Sequence, residues 1–115
     1  MRIRMRRADI RYIRFLINDP NNTAAEIDFD QIYFTVKSKP SDRLFIFQKK
    51  LSDGSIKKLD MGDYQLKIEP KDTAKLIAPK EYLFDIQISY KDLVKETFVG
   101  TFELMPEVTY PENER

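Results

Sequence analysis

Guanidinium groups crowd the start of the chain, where Arg2, Arg4, Arg6, Arg7, Arg11 and Arg14 all fall within the first 14 residues. Arg takes phosphate oxygens in bidentate pairs, so a run of this kind is chemically suited to a nucleic-acid backbone. The same alternation also makes the cationic outer face of an edge strand, where positive charge discourages edge-to-edge aggregation and can meet another protein. We take the second reading, because the chain as a whole carries 20 Lys+Arg against 19 Asp+Glu and so has no strong net field. Glu26, Asp28 and Asp30 are the obvious acid cluster. Glycoside hydrolysis needs two carboxylates that flank a bond from different elements. These three alternate with Ile27 and Phe29, which on an extended stretch points them the same way and makes a solvated lead-in to a strand. Asp19, Asn21, Thr23 and Asp30 sit near calcium-loop positions, but Ala24 stands where the sharp turn demands Gly.

The missing residue types exclude more than the present ones suggest. There is no Cys and no His, so Ser-His-Asp and Cys-His nucleophile systems, the usual zinc sites and thiol redox chemistry are excluded. With only Gly54, Gly62 and Gly100, no glycine-rich phosphate loop exists. No catalytic residue, cofactor or metal is expected, and no small-molecule substrate. Asn21-Asn22-Thr23 matches a glycosylation acceptor, which carries meaning only in a secreted chain. Tyr33, Phe45 and Phe47 could form an exposed aromatic platform for sugar, the second function we weigh, that of a carbohydrate- or host-surface-binding module. Core packing is the preferred place for these rings, since one face of their strand has to be buried.

Charge is unevenly placed along the chain. Residues 1–20 hold six Arg against Asp9 and Asp19, a net +4, whereas residues 101–115 hold four Glu against Arg115, a net −3. A +4 end that meets the −3 end of a neighbouring copy would steer a head-to-tail contact, and such contacts close into rings. Arg2, Arg4, Arg6 and Arg7, with Glu107 and Glu112 opposite, are therefore the expected interface residues. The basic start is not a signal peptide, because Arg14 breaks its apolar run and no small-residue cleavage site follows. No window approaches the roughly 18 apolar residues of a membrane helix, so cytoplasmic synthesis without a membrane partner is expected. The missing cysteines agree with a reducing compartment.

The elements that must carry these residues are strands, because the hydrophobic period is two almost throughout. Ile3 and Met5 alternate with arginines, Ile13 to Ile17 form a second strand, and Asp19-Pro20-Asn21-Asn22 supplies a turn. Ile32 to Lys37 is a third. Leu44 to Leu51 and Ile56 to Leu59 flank Ser52-Asp53-Gly54-Ser55, where Asp-Gly is the strongest hairpin signal in the chain. Tyr64 to Ile68 follows, then one short helical piece, Lys71 to Leu76, with Asp72 as N-cap. The clearest strand, Tyr82 to Tyr90, turns at Lys91-Asp92 into Leu93 to Leu104, with Val108-Thr109-Tyr110 beyond. Seven or eight short antiparallel strands with turns every 8 to 12 residues are the cues for an all-β, immunoglobulin-like β-sandwich, here a single domain over residues 1–110 with a mobile charged tail, 111–115. A small barrel is the rival. Asp72-Thr73-Ala74 lies just upstream of Tyr82, as in a tyrosine corner, where a Tyr hydroxyl returns to upstream backbone. The expected core is Ile13, Phe15, Phe34, Val36, Leu66, Ile68, Tyr82, Phe84, Ile86, Phe98 and Phe102, each large side chain contributing about 1.5 to 3 kcal/mol.

The succession Ile32-Tyr33-Phe34-Thr35-Val36-Lys37, Asp72-Thr73-Ala74-Lys75-Leu76, Tyr82-Leu83-Phe84-Asp85-Ile86-Gln87, Gly100-Thr101-Phe102-Glu103-Leu104 and Pro106-Glu107-Val108-Thr109 resembles small structural proteins of tailed phages and prophages. It is similar as well to the N-terminal immunoglobulin-like domain of phage baseplate upper proteins. The resemblance covers residues 2 to 109, and the order of the elements carries it rather than any single motif. Pro79-Lys80-Glu81 departs from it, at a place where such chains often turn on Gly. The resemblance implies a non-enzymatic component of a virion tail or baseplate, whose partners are other virion proteins and copies of itself, not nucleic acid.

Overall fold

Alternating apolar side chains become strands because extended backbone sends successive residues to opposite faces, and burial of one face in each strand then forces two sheets together. The computed structural model describes residues 1–17, 29–90 and 93–108. Among them run β1 (Arg2–Arg6), β2 (Arg11–Leu16), β3 (Gln31–Lys37), β4 (Phe47–Lys50), β5 (Ile56–Asp60), β6 (Asp63–Ile68), β7 (Lys80–Tyr90) and β8 (Leu93–Met105), with one helical turn, α1 (Pro70–Thr73), before β7. One sheet has the order β1-β8-β7-β3-β4 and the other β2-β6-β5. The protein is an all-β sandwich with the Greek-key strand order of immunoglobulin-like domains. One pairing departs from the expected antiparallel set, since β1 runs parallel to β8, with Arg4 opposite Glu103.

Of the expected core, Phe34, Val36, Leu66, Ile68, Tyr82, Phe84, Ile86 and Phe102 are buried, and Ile13, Phe15 and Phe98 pack against them half-buried. Rings link the large sheet internally. Phe34 lies 5.2 Å from Phe84 and 6.3 Å from Phe47 between centroids, and Phe47 meets Phe102 edge-on at 6.0 Å. Tyr64 stacks on Phe15 at 5.8 Å across the small sheet.

Three local expectations are corrected. Asp53-Gly54 does not close a hairpin, because β4 pairs with β3 and β5 pairs with β6. Gly54 does take the left-handed backbone at φ 83, yet the turn it makes carries the chain from one sheet to the other. The strand expected from Leu44 begins only at Phe47, and Leu44 is left 85% exposed. The helical piece starts earlier than Lys71, at Pro70, because Pro suits a first helical position where no N–H is needed. Its cap residue is Glu69, and Asp72 sits in its first turn, where its carboxylate accepts the Glu69 N–H at 2.7 Å. The turn at residues 19–22, the Lys91-Asp92 turn, Thr109-Tyr110 and the tail at 111–115 lie outside the described residues.

Two backbone positions are strongly constrained. Gly100 faces Phe84 across β7 and β8, and a Cβ there would stand 2.6 Å from both the Phe84 ring and the Met1 carbonyl oxygen. Gly100→Ala is therefore expected to destabilise the fold by about 1 to 3 kcal/mol, read from the urea midpoint. Ala8, which turns the chain from β1 toward β2, holds φ 64, a conformation disfavoured by its Cβ. Ala8→Gly is expected to raise stability by roughly 0.5 to 1 kcal/mol in the same assay, the relief of native strain exceeding the added freedom of the unfolded chain.

Candidate functional site

The arginines of β1 alternate with Ile3 and Met5, so burial of those two apolar chains sets the guanidinium groups on the outer face of an edge strand. Their partners are on the same chain. Arg2 and Arg4 both reach the Glu103 carboxylate on β8, the latter at 3.2 Å. Arg6 donates to the Pro106 carbonyl oxygen at 3.0 Å. Arg7 bonds Glu107 at 2.6 Å and donates to the Leu76 carbonyl oxygen at 2.9 Å. Arg14 pairs on the other sheet with Asp63, its Nε donating at 2.8 Å. The basic and acidic ends thus meet within one molecule, through parallel pairing that period-two reading does not reveal. Glu112, the remaining residue of the expected interface, lies outside the described residues. So do Glu26 and Asp28 of the acid cluster, and Asp19, Asn21, Thr23 and Ala24 of the calcium reading. The arginines do not gather on one open face either, since β1 and β2 belong to different sheets.

Tyr82, at the start of β7, turns its hydroxyl back on the chain, donating to the Ile77 carbonyl oxygen at 2.9 Å and accepting the Ile77 N–H at 3.1 Å. Burial raises its phenol above the ordinary Tyr range. Asp72 is not its partner, because the helical turn carries that carboxylate to Lys49, whose Nζ lies 2.6 Å away. Lys49 is an inward residue of β4 with 7% of its surface exposed, so this ion pair ties the large sheet to α1 from inside. A buried pair of this kind is strongly destabilised by loss of one partner. The proposed ring platform is not assembled. Phe47 is buried, Tyr33 stands opposite Lys50, and the half-exposed Phe45 lies beyond the other end of that strand pair.

Two surface features remain, neither signalled by a motif. The first is a hollow of about 170 Å³ on the outer face of the large sheet, lined by Thr35, Lys37, Pro40, Leu83, Asp85 and Val99. Asp85 stands between Thr35 on β3 and Val99 on β8. Burial raises its carboxyl above the ordinary range, with Lys37 opposing. The second is a cleft of about 600 Å³ where the small sheet, the 53–55 turn and α1 converge. Tyr12 and Lys67 are cross-strand partners on its wall, as are Gln65 and Lys57. The Lys67 Nζ lies 5.7 Å from the Tyr12 ring centroid. Glu69 takes Lys71 at 3.4 Å and Lys67 at 4.0 Å. The alternation Tyr64 to Ile68 was sufficient to put Gln65 and Lys67 on one outer face, but not to bring Tyr12, Lys57 and Lys71 beside them.

Among the described residues, no three Asp or Glu side chains gather as a metal site, and no helix is long and apolar enough to cross a membrane. Compared with family models, with curated proteins and with solved structures, the chain gives no match.

The Arg–carboxylate pairs make stability pH-dependent. Hydrogen bonds from Arg2, Arg7 and Arg14 hold Glu103, Glu107 and Asp63 below their ordinary range. The unfolded chain therefore takes up protons first as acid is added. The stabilisation is present above the unfolded carboxyl values, about 3.9 to 4.3, and is lost as pH falls through the lower folded values. Asp85 works in the opposite sense, its raised carboxyl withdrawing stability as pH rises from the unfolded value through its higher folded one. With Asp53 also held down by its Ser55 hydrogen bonds, four lowered carboxyls against one raised predict a urea midpoint that falls on acidification, and a smaller fall in Arg7→Gln. Equal slopes in the two proteins would refute the Arg7–Glu107 contribution.

Proposed function

We propose that this chain is a non-enzymatic structural protein of a phage or prophage particle, in the tail or baseplate, that acts through protein–protein contacts, with the outer face of the large sheet as its contact surface. The order of sequence elements supports the phage reading, and an immunoglobulin-like sandwich is compatible with it without being specific to it. The observation that carries the contact reading is the hollow around Asp85. Val99, 66% exposed, and Leu83 give it an apolar middle. Charged side chains, Glu81, Glu103, Arg2 and Arg4 toward one edge and Lys37 and Lys50 toward the other, surround it. An apolar centre with a charged rim is the anatomy of a protein interface.

Asp85 adds a chemical preference. An acid that is disfavoured by its own surroundings gains when a partner brings a cation to it, so the matching surface is apolar with a Lys or Arg near its centre. Multicopy particles are built from repeated contacts between identical subunits, so the partner on which the reading is tested is a second copy that docks through a different, Lys- or Arg-bearing surface, since the same face would set Asp85 against Asp85. Light scattering after size exclusion, at low and high salt, is expected to show association at millimolar protein that weakens with salt. Val99→Arg is expected to return it to monomer while the fold, followed by circular dichroism, stays intact. A wild-type monomer at millimolar concentration in low salt, or association unchanged by Val99→Arg, would overturn the reading.

A further inference from the structure

The cleft on the small sheet lies away from the large-sheet face and has a different chemistry. It mixes hydrogen-bond types in a way that a merely solvated strand face does not require. Lys57, Lys67 and Lys71 supply ammonium donors, Gln65 supplies an amide that both donates and accepts, and Asp53 and Glu69 supply carboxylate acceptors. Tyr12, 57% exposed, offers the flat apolar surface of one wall. The groups come from three stretches of chain: β2, the turn at residues 53–55 running into β5, and β6 running through Glu69 into α1.

Several of these groups are held in place. Tyr12 is fixed by its cross-strand neighbour Lys67, whose ammonium lies near the ring. Asp53 accepts the Ser55 N–H at 2.9 Å and the Ser55 hydroxyl at 2.5 Å, which fixes the turn, and Ser55 in turn accepts the Lys50 N–H at 2.7 Å. Lys49 is engaged by Asp72 behind the cleft, and Glu69 is shared between Lys67 and Lys71. Lys57 makes no ion pair among the described residues and is the cation left to meet an anion.

We infer that this cleft binds an anionic saccharide, a sugar that carries a carboxylate or a phosphate. The Tyr12 ring would lie against a sugar face, Asp53, Glu69 and Gln65 would take hydroxyls, and Lys57 with Lys67 would take the anion. A volume of about 600 Å³ suits a short oligosaccharide and falls within the usual range of small-ligand sites. The two acids weigh against the rival polyanions. Asp53 and Glu69 would repel an acidic peptide or a nucleic-acid backbone, whereas a sugar has hydroxyl donors for them. One aromatic side chain is also too few for a run of stacked bases.

Backbone amide shifts in nuclear magnetic resonance titrations test this with named probes. Trigalacturonate carries carboxylates, glucose 6-phosphate carries a phosphate, maltotriose is a neutral sugar, and triglutamate is an anion without sugar. Trigalacturonate, glucose 6-phosphate or both are expected to shift the amides of Lys57, Gln65 and Lys67, and which of them does so identifies the anion. Maltotriose and triglutamate are expected to bind at least about tenfold more weakly than the better anionic sugar. Tyr12→Ala and Lys57→Glu, both on the outer face of the small sheet, are expected to weaken that binding by a similar factor with the urea midpoint little changed. Absence of shifts with both anionic sugars would overturn the inference. So would triglutamate binding as tightly as the sugars, or binding indifferent to Tyr12→Ala. None of these results bears on the large-sheet contact, which Val99→Arg tests separately.

Discussion

The parallel pairing of β1 with β8 is the constraint from which most of the structure follows. The first strand lies beside the last in one sheet and the second strand lies in the other, so the chain crosses the sandwich immediately after Arg6. It does so in a few residues, and Ala8 takes up the left-handed backbone that the short crossing requires. The crossing is held by what surrounds it. Thr73, fully buried in α1, accepts the Ala8 N–H at 2.8 Å, and the Arg7 N–H reaches the Met105 carbonyl oxygen at 2.7 Å. The Arg7 side chain then joins Leu76 to Glu107. One short turn thereby fastens the start of the chain, the connection between β6 and β7, and the segment after β8. Tyr82 closes the same corner from the other side by holding Ile77 at both its N–H and its carbonyl oxygen.

Antibody domains brace their two sheets with a disulfide packed on a Trp from the third strand. This chain has neither Cys nor Trp. Phe34, an inward residue of β3, has Phe84 and Phe47 as ring neighbours, and Phe47 passes the contact to Phe102. Aromatic pairs at these separations are worth about 0.5 to 1.5 kcal/mol beyond the area they bury. All three contacts lie within the large sheet, so they stiffen that sheet, and the joining of the two sheets rests on the apolar packing of their inward faces. The arrangement depends on Gly100, which leaves the Phe84 ring room that any side chain on β8 would fill.

Much of this was legible in the sequence wherever a strand buries one face. Tyr82, Phe84, Ile86 and Ile88 alternate without interruption, and all are buried on β7. Pairing was less legible. Alternation says which side of a strand is apolar and nothing about its neighbour, so the partner of β1 and the separation of β4 from β5 across Asp53-Gly54 had to come from three dimensions. Lys49 illustrates a second limit. It occupies an inward position that composition would give to an apolar residue, and it is tolerated there because Asp72 arrives from 23 residues away. Of the candidate site, only the side on which Gln65 and Lys67 lie could be read, because the cleft is made where stretches distant in sequence converge.

Near-neutral charge takes on a different meaning in the folded chain. The basic and acidic ends look in the sequence like two halves of a contact between copies, yet Glu103 and Glu107 meet Arg2, Arg4 and Arg7 within the molecule. Charges so paired and partly exposed give little to a neighbour, since a partner would have to break one pair to make another. Recognition is then left to groups the fold does not satisfy so fully. Asp85 is raised by its own burial in a hollow that Leu83 and Val99 line, with Lys37 opposing, and Lys57 stands without an acid among the described residues on the rim of a mixed polar cleft. One is an acid that calls for a cation in an apolar setting, the other a cation that calls for an anion in a hydroxyl-binding setting. The contact face we propose on the large sheet and the cleft we infer on the small one thus call for partners of opposite charge and different chemistry, and the self-pairing of the chain ends is what leaves these two faces distinct.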